Sequence, residues 1–239
     1  MAVGETLRRL AARAVLLQER ARLKEAVSPH QQAIGQKGAC ELVVKALRLL
    51  AVLHPDVTIT TLDMRNAYNS LSRAAALEAI IDRTPWLVPM TVLFYSSPSS
   101  YVYCQGPNVA LVHSALGVEQ GDVEAPALFA LALAPALAAA QSDLDALSLA
   151  ESLPPVTILA YLDDVVIAAH PLLVERSIAI VSSHLASFGL NIQPRKTKIW
   201  TPSGLPPPPV PATFLVSHRA HDSWRPGGSR GFFPPGVWP

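Results

Sequence analysis

Three aspartates stand where acids are least expected. Asp163 and Asp164 are neighbours within Val156–His170, VTILAYLDDVVIAAH, with β-forming apolar residues on both sides. Such a stretch predicts strand, tight turn, strand, and both flanks favour burial. Asp63 ends a second apolar segment, Val57 to Leu62, a hundred positions upstream. Acids at the ends of two buried strands, with no lysine beside them, repel one another unless a cation lies between them. Paired magnesium chemistry on phosphates needs carboxylates from separate rigid strands in this way. The bland readings are a turn for Asp163-Asp164, since aspartate favours turns, and a helix cap for Asp63. Two further groups could join them. Gln120, Gly121 and Asp122 end a Gly-bounded polar loop that a nucleotide or template could contact, or that is an ordinary helix entry. Lys196 and Lys198 lie in a basic triad that could assist a departing anion or form a solvated cluster.

The elements that must carry these residues are legible from periodicity. Helices are predicted for Gly4–Lys24, with Leu7, Leu10, Ala11, Ala14 and Leu17 on its apolar side, and for 39–53, with Leu42, Val43, Ala46, Leu49 and Leu50 inward. Further helices are expected over 73–83, 85–95, 123–140 and 172–188, the last stopped by Gly189. A strand pair is expected around Gly106-Pro107-Asn108, and Gln141–Pro155 reads as a linker or helix end. From Thr201 the composition shifts: ten of the 22 prolines fall in the last 38 residues. That tail reads as extended or disordered, and its His218 and His221 lack further ligands for a metal.

Composition sets the outer bounds. With 239 residues, 50% hydrophobic and 15% charged, the chain can bury a sizeable core. The net charge of +1 argues against a dedicated nucleic-acid coat. It is distributed unevenly, with both ends basic and the aspartates in an acidic middle, which suits a polyanion held over a metal site or simply a basic helix and tail. Cys40 and Cys104 are far apart and fit a reducing compartment, with no disulfide framework. The apolar run Ala125–Ala140 is shorter than the roughly 20 residues of a membrane span, so a buried helix and no membrane partner are expected.

Taken together, these residues resemble the palm of a reverse transcriptase of the non-LTR retrotransposon type. Asp63-Met64-Arg65-Asn66-Ala67-Tyr68-Asn69 with Ser72-Arg73 resembles the first palm motif, in which an Asp binds metal and an aromatic five residues on blocks the ribose 2′-OH. Gly117-Val118-Glu119-Gln120-Gly121-Asp122, with Pro126 and Phe129, resembles the motif that contacts template and incoming nucleotide. Tyr161-Leu162-Asp163-Asp164 matches the YxDD signature. Gly189-Leu190-Asn191 with Lys196-Thr197-Lys198 resembles the motif whose lysine assists pyrophosphate departure, and Gln32, Gly35, Gly38 and Glu41 resemble an upstream loop of the same lineage.

The resemblance implies an α+β fold: a polymerase palm whose small antiparallel sheet packs on helices. Its expected divisions are residual fingers over 1–55, palm over 56–200 and a Pro-rich tail over 201–239. It implies RNA-directed DNA polymerisation with two Mg²⁺ ions on Asp63, Asp163 and Asp164, and an RNA template, DNA primer and dNTP as partners. The location would be intracellular, and nuclear if the chain is part of an active retroelement. Asp63 and Asp163 would be the principal ligands, Asp164 an auxiliary one, and Tyr68 the 2′-OH gate or else a core tyrosine. The departures are the short remnant of a fingers motif at the start, the absence of thumb-like periodicity, and Glu124, an acid expected beside the template path. They make an inactive retroelement remnant the alternative.

Overall fold

The computed structural model describes residues 6–203 and 210–217. Two helices open the chain, α1 (Thr6–Gln18) and α2 (Arg20–Val27), broken at Glu19 where one continuous helix was expected. The inward face of α1 also differs. Leu7, Leu10 and Leu17 are exposed, whereas Ala12 is buried and Val15 and Leu16 pack on the core. The helix is turned by Arg8, which is drawn inward by two buried acids described below. Next comes α3 (Ala39–Leu53), which has the predicted bounds and buries Val43 as expected, with Leu50 packed beside it, but it turns Val44 and Leu47 inward in place of Leu42 and Leu49, which are exposed.

Strand β1 (Thr58–Leu62) leads through the one-turn α4 (Ala67–Ser70) to α5 (Arg73–Arg83) and α6 (Val88–Tyr95). A separate hairpin follows, β2 (Ser99–Gln105) with β3 (Asn108–Ser114), turning at Gly106-Pro107 as expected. The long α7 (Ala125–Ala150) does not stop at Ala140. Beyond that point its pattern changes from apolar all round to a one-sided stripe of Leu144, Leu147 and Ser148, still buried at helical spacing. By length and composition α7 could cross a membrane, but most of its apolar surface is buried against the rest of the chain. The remaining elements are β4 (Thr157–Tyr161), β5 (Asp164–Ala169), α8 (Val174–Ala186), β6 (Lys198–Trp200) and β7 (Leu215–Ser217).

The larger sheet has the order β4-β5-β1-β6-β7, antiparallel except for the β6–β7 pair. β7 arises within the Pro-rich tail that was expected to be extended or disordered, and Val210 and Phe214 of the same tail pack against the core; residues 204–209 and 218–239, His218 and His221 among them, lie outside the described residues. Alternation along β5 explains why its sequence is apolar without interruption. Val165, Ile167 and Ala169 enter the main core with Phe129, Leu128 and Leu133 of α7, while Val166 and Ala168 face the other way, against Val43 and Leu47 of α3. Burying each large side chain contributes about 1.5–3 kcal/mol, so a sheet covered on both sides is a rigid base for whatever its ends carry.

Candidate active site

β1 delivers Asp63, and the β4–β5 turn delivers Asp163 and Asp164. Leu62 pairs with Val165 at the last rung of the β1–β5 ladder, and Asp63 and Asp164 are the next residues at that end. Alternation along β5 puts Asp164 on the α3 side with Val166. The turn is as tight as predicted. Tyr161 pairs with Asp164, leaving Leu162 and Asp163 as its two-residue loop. Leu162 has φ +56°, a left-handed conformation costing about 1–2 kcal/mol in a residue with a Cβ.

The carboxylates feel one another. Burial first, then Asp163 and Asp63, pushes the Asp164 carboxyl up to about 6. Partial desolvation also raises Asp163; Asp63 adds to this, and a bond from its own backbone opposes it. Among the described residues, no three His, Cys, Asp or Glu side chains are gathered closely enough to form a metal cage. By chemistry the set nonetheless fits a divalent cation: hard oxygens on two rigid strands, destabilised by mutual repulsion that a cation would relieve.

Asp63 is laced to the segment that carries Lys196. Its carbonyl accepts from Gln193 N–H at 2.7 Å, its N–H donates to Thr197 Oγ1 at 3.5 Å, and Arg65 N–H donates to Asn191 O at 2.8 Å. Met64 and Ile192 form a bridge between the two segments. Lys196 is exposed on the turn so formed.

Tyr68 lies on α4. Its ring stacks on Phe129 of α7, with centroids 4.8 Å apart and planes 8° from parallel. Burial, then Asp163 and Tyr161, raises its hydroxyl well above the ordinary tyrosine range, so Asp163 lies within electrostatic reach of it. Gln120 and Gly121 are exposed on the loop entering α7. That loop is tied to α4 by Val118 N–H donating to Tyr68 O at 2.8 Å and Gly117 N–H donating to Leu71 O at 2.9 Å. The approach demands glycine. At φ +69°, a Cβ on Gly117 would stand 2.2 Å from Tyr68 O and 2.5 Å from Asn69 Cα. Gly117→Ala is therefore expected to destabilise the chain by about 3 kcal/mol, from left-handed strain plus overpacking. Chemical denaturation measures this, and a loss under about 1 kcal/mol would show that the loop yields.

Asp122 does not reach the exposed surface of this loop. It is 4% exposed, its carboxylate paired with Arg8 and accepting from Tyr95 Oη at 3.0 Å. Glu124, expected beside the template path, is fully buried, with Arg8 at 3.1 Å, and Arg8 lies over the Phe94 ring at 4.3 Å. Helix α1 is thereby fixed to the entrance of α7. Burial, reinforced by Asp122 and opposed by Arg8, pushes the Glu124 carboxyl up to about 7. Its ordinary value is 4.5, so between these limits the folded chain binds more protons than the unfolded one. Stability should fall as pH rises through that window, by on the order of 2 kcal/mol. Glu124→Gln should flatten the fall in denaturation curves taken from pH 5 to 7.5; an unchanged slope would contradict the assignment.

Two groups, Cys40 and Gln31, escaped the sequence reading, and Arg73 entered it only as part of the first motif. Cys40, read as structural, starts α3 within reach of Asp164 and Tyr161, and burial, then Asp164, raises its thiol. Arg73 bonds the carbonyls of Gly117, Ser97 and Ser114, fixing the segment between α6 and the Gln120 loop. Gln31 is buried, and its amide meets the Leu162 backbone. Nothing in the local sequence marks these contacts, because the partners lie 24 to 131 positions away.

A family model described as reverse transcriptase (RNA-dependent DNA polymerase) matches residues 7–223. The "Retrotransposable element SLACS 132 kDa protein" of Trypanosoma brucei gambiense is 30% identical over 146 residues, covering 59% of this chain and 12% of that protein. Among solved structures, telomerase from Candida albicans in complex with a TWJ fragment of telomeric RNA aligns with TM-score 0.55 at 12% identity, over 81% of this chain and 35% of that one. Apo telomerase from Candida tropicalis aligns with TM-score 0.55 at 13% identity, over 78% of this chain and 36% of that one. At such identities the structural likeness is one of fold.

Proposed function

Since the chain belongs to the reverse transcriptase (RNA-dependent DNA polymerase) family, we propose that its strand-end carboxylates serve RNA-directed DNA synthesis by nucleotidyl transfer. The observation that supports this reading is that β1 and β5 pair as far as Leu62 and Val165, so Asp63 follows β1 at the end of the sheet where the β4–β5 turn carries Asp163 and Asp164, and its charge acts on both. In the reaction a primer 3′-oxygen bonds to the α-phosphorus of a dNTP, the bond to the bridging oxygen breaks, and pyrophosphate leaves. Asp63 and Asp163, with Asp164 as auxiliary, would hold Mg²⁺, which when bound neutralises charge on the reacting phosphates and favours the ionised primer hydroxyl.

The other roles fall to the chain's own groups. Tyr68, fixed on Phe129, closes the space next to the sugar C2′ and so favours a deoxyribose. Gln120 and Gly121 present an exposed loop to the template and the nascent base pair. Asp122 supports that loop from inside by holding Arg8 and Tyr95. Lys196, on the turn bonded to Asp63, donates a proton or positive charge to the departing pyrophosphate.

Templated extension tests the proposal. The chain is incubated with an RNA template, a DNA primer, the four dNTPs and Mg²⁺. Products whose sequence follows the template and which vanish on adding EDTA are expected. A folded chain that yields none would favour the retroelement-remnant alternative.

A further inference from the structure

We propose that Gln31 is a positioning residue for the Asp163 carboxylate, acting by clamping the backbone of Leu162; this rests on the nucleotidyl-transfer reading above. The Gln31 side chain makes two bonds to one residue. Its Oε1 accepts from Leu162 N–H at 2.7 Å, and its Nε2 donates to Leu162 O at 3.1 Å. Gln31 is 2% exposed, so neither bond is readily replaced by water. Leu162 is also the turn residue in left-handed conformation, directly before Asp163. A leucine does not hold that conformation by preference. The amide clamp fixes the peptide planes on both sides of Leu162, and the plane after it carries the Asp163 nitrogen. The direction in which Asp163 leaves the turn is thus set from outside the hairpin.

The clamp is itself anchored. Gln31 bridges in parallel to Ala160 of β4, with Gln32 N–H donating to Ala160 O and Ala160 N–H donating to His30 O, both at 2.8 Å. The loop continues to Gly35, whose carbonyl accepts from Arg20 Nε at 3.1 Å and whose Cα lies so close to α2 that an added Cβ would be 2.7 Å from Lys24 Cβ. The segment before α3 therefore both covers the open edge of β4 and aims the acid at its end.

The other end of β4 supplies a matched control. Gln141 donates to Val156 O at 2.7 Å and accepts from Ile158 N–H at 3.1 Å, a similar amide clamp remote from the turn. Gln31→Met and Gln141→Met each remove two such bonds while keeping side-chain length. In amide hydrogen exchange, Leu162 should exchange at least tenfold faster in Gln31→Met, with Val166 unchanged, and keep its wild-type rate in Gln141→Met. In extension assays, Gln31→Met should lower kcat at least tenfold with the KM for dNTP within threefold, whereas Gln141→Met should keep kcat within twofold. Mn²⁺ affinity, read by electron paramagnetic resonance, should fall with Gln31→Met alone. Gln31→Glu, which keeps an acceptor for Leu162 N–H but loses the bond to Leu162 O, replaces Gln31→Met if the latter does not fold and should lower kcat in the same direction, with Leu162 exchange close to the wild-type rate. The proposal is overturned if Leu162 is deprotected without change in kcat or Mn²⁺ affinity, or if Gln141→Met lowers both equally. A wild type that neither extends primers nor binds Mn²⁺ overturns the nucleotidyl-transfer reading instead, and the positioning role with it.

Discussion

Asp163→Asn is expected to cut templated extension by at least about 10³-fold while leaving the fold as stable as the wild type or slightly more so. The two halves of this result have one cause. Asp163 is partly desolvated and faces the charge of Asp63, and it adds to the burial that pushes Asp164 up to about 6. In the folded chain alone this crowding of negative charge is a liability. It is useful only if a cation is to be held there. Removing one charge relieves the repulsion and removes the reaction's ligand together. Asp63→Asn should behave alike, and the double variant should be no slower than the worse single one, because ligands of one site act as a unit. Extension rates and thermal melts on the same preparations check both halves. A slow variant that is also strongly destabilised would mean that the acids are structural.

Tyr68→Val carries the second large effect. The tyrosine ring is held flat on Phe129, and Phe129 is fully buried in α7, so the ring cannot swing aside without losing its stack. A side chain fixed in this way can exclude a ribose 2′-OH sterically. The variant should accept rNTPs on the order of 10²-fold more readily relative to dNTPs, a hydroxyl-sized clash being worth about 3 kcal/mol. It should also cost about 2 kcal/mol of stability through the lost aromatic packing. Tyr68→Phe keeps the ring and should keep the discrimination. Competition between matched dNTP and rNTP measures this, and an unchanged preference in Tyr68→Val would make Tyr68 a packing residue only.

What could be read from the sequence, and what could not, divides along a physical line. The hairpin around Asp163 and Asp164, the strand before Asp63 and the bounds of α3 and α5 were legible because they depend on short-range pattern: alternation, turn residues and helical spacing. The inward face of α1 was not, because a charged residue decides it. Arg8 turns inward to meet Asp122 and Glu124, more than a hundred positions away. The end of α7 was misplaced because its pattern changes at Ala140 from fully buried to one-sided, which reads locally as a loss of helix. Of two adjacent glutamines, the resemblance singled out Gln32, while the structure gives the buried role to Gln31. Only the pairing of that loop with Ala160 decides which of the two faces the turn.

That Asp63 and Asp163 form one site from two strands is tested most directly by Mn²⁺ binding to the free chain, followed by electron paramagnetic resonance in the wild type, Asp63→Asn and Asp163→Asn. A shared site predicts binding in the wild type that either substitution weakens at least tenfold, with both variants folded. Binding that survives both substitutions, or a folded wild type that binds no Mn²⁺, would contradict it.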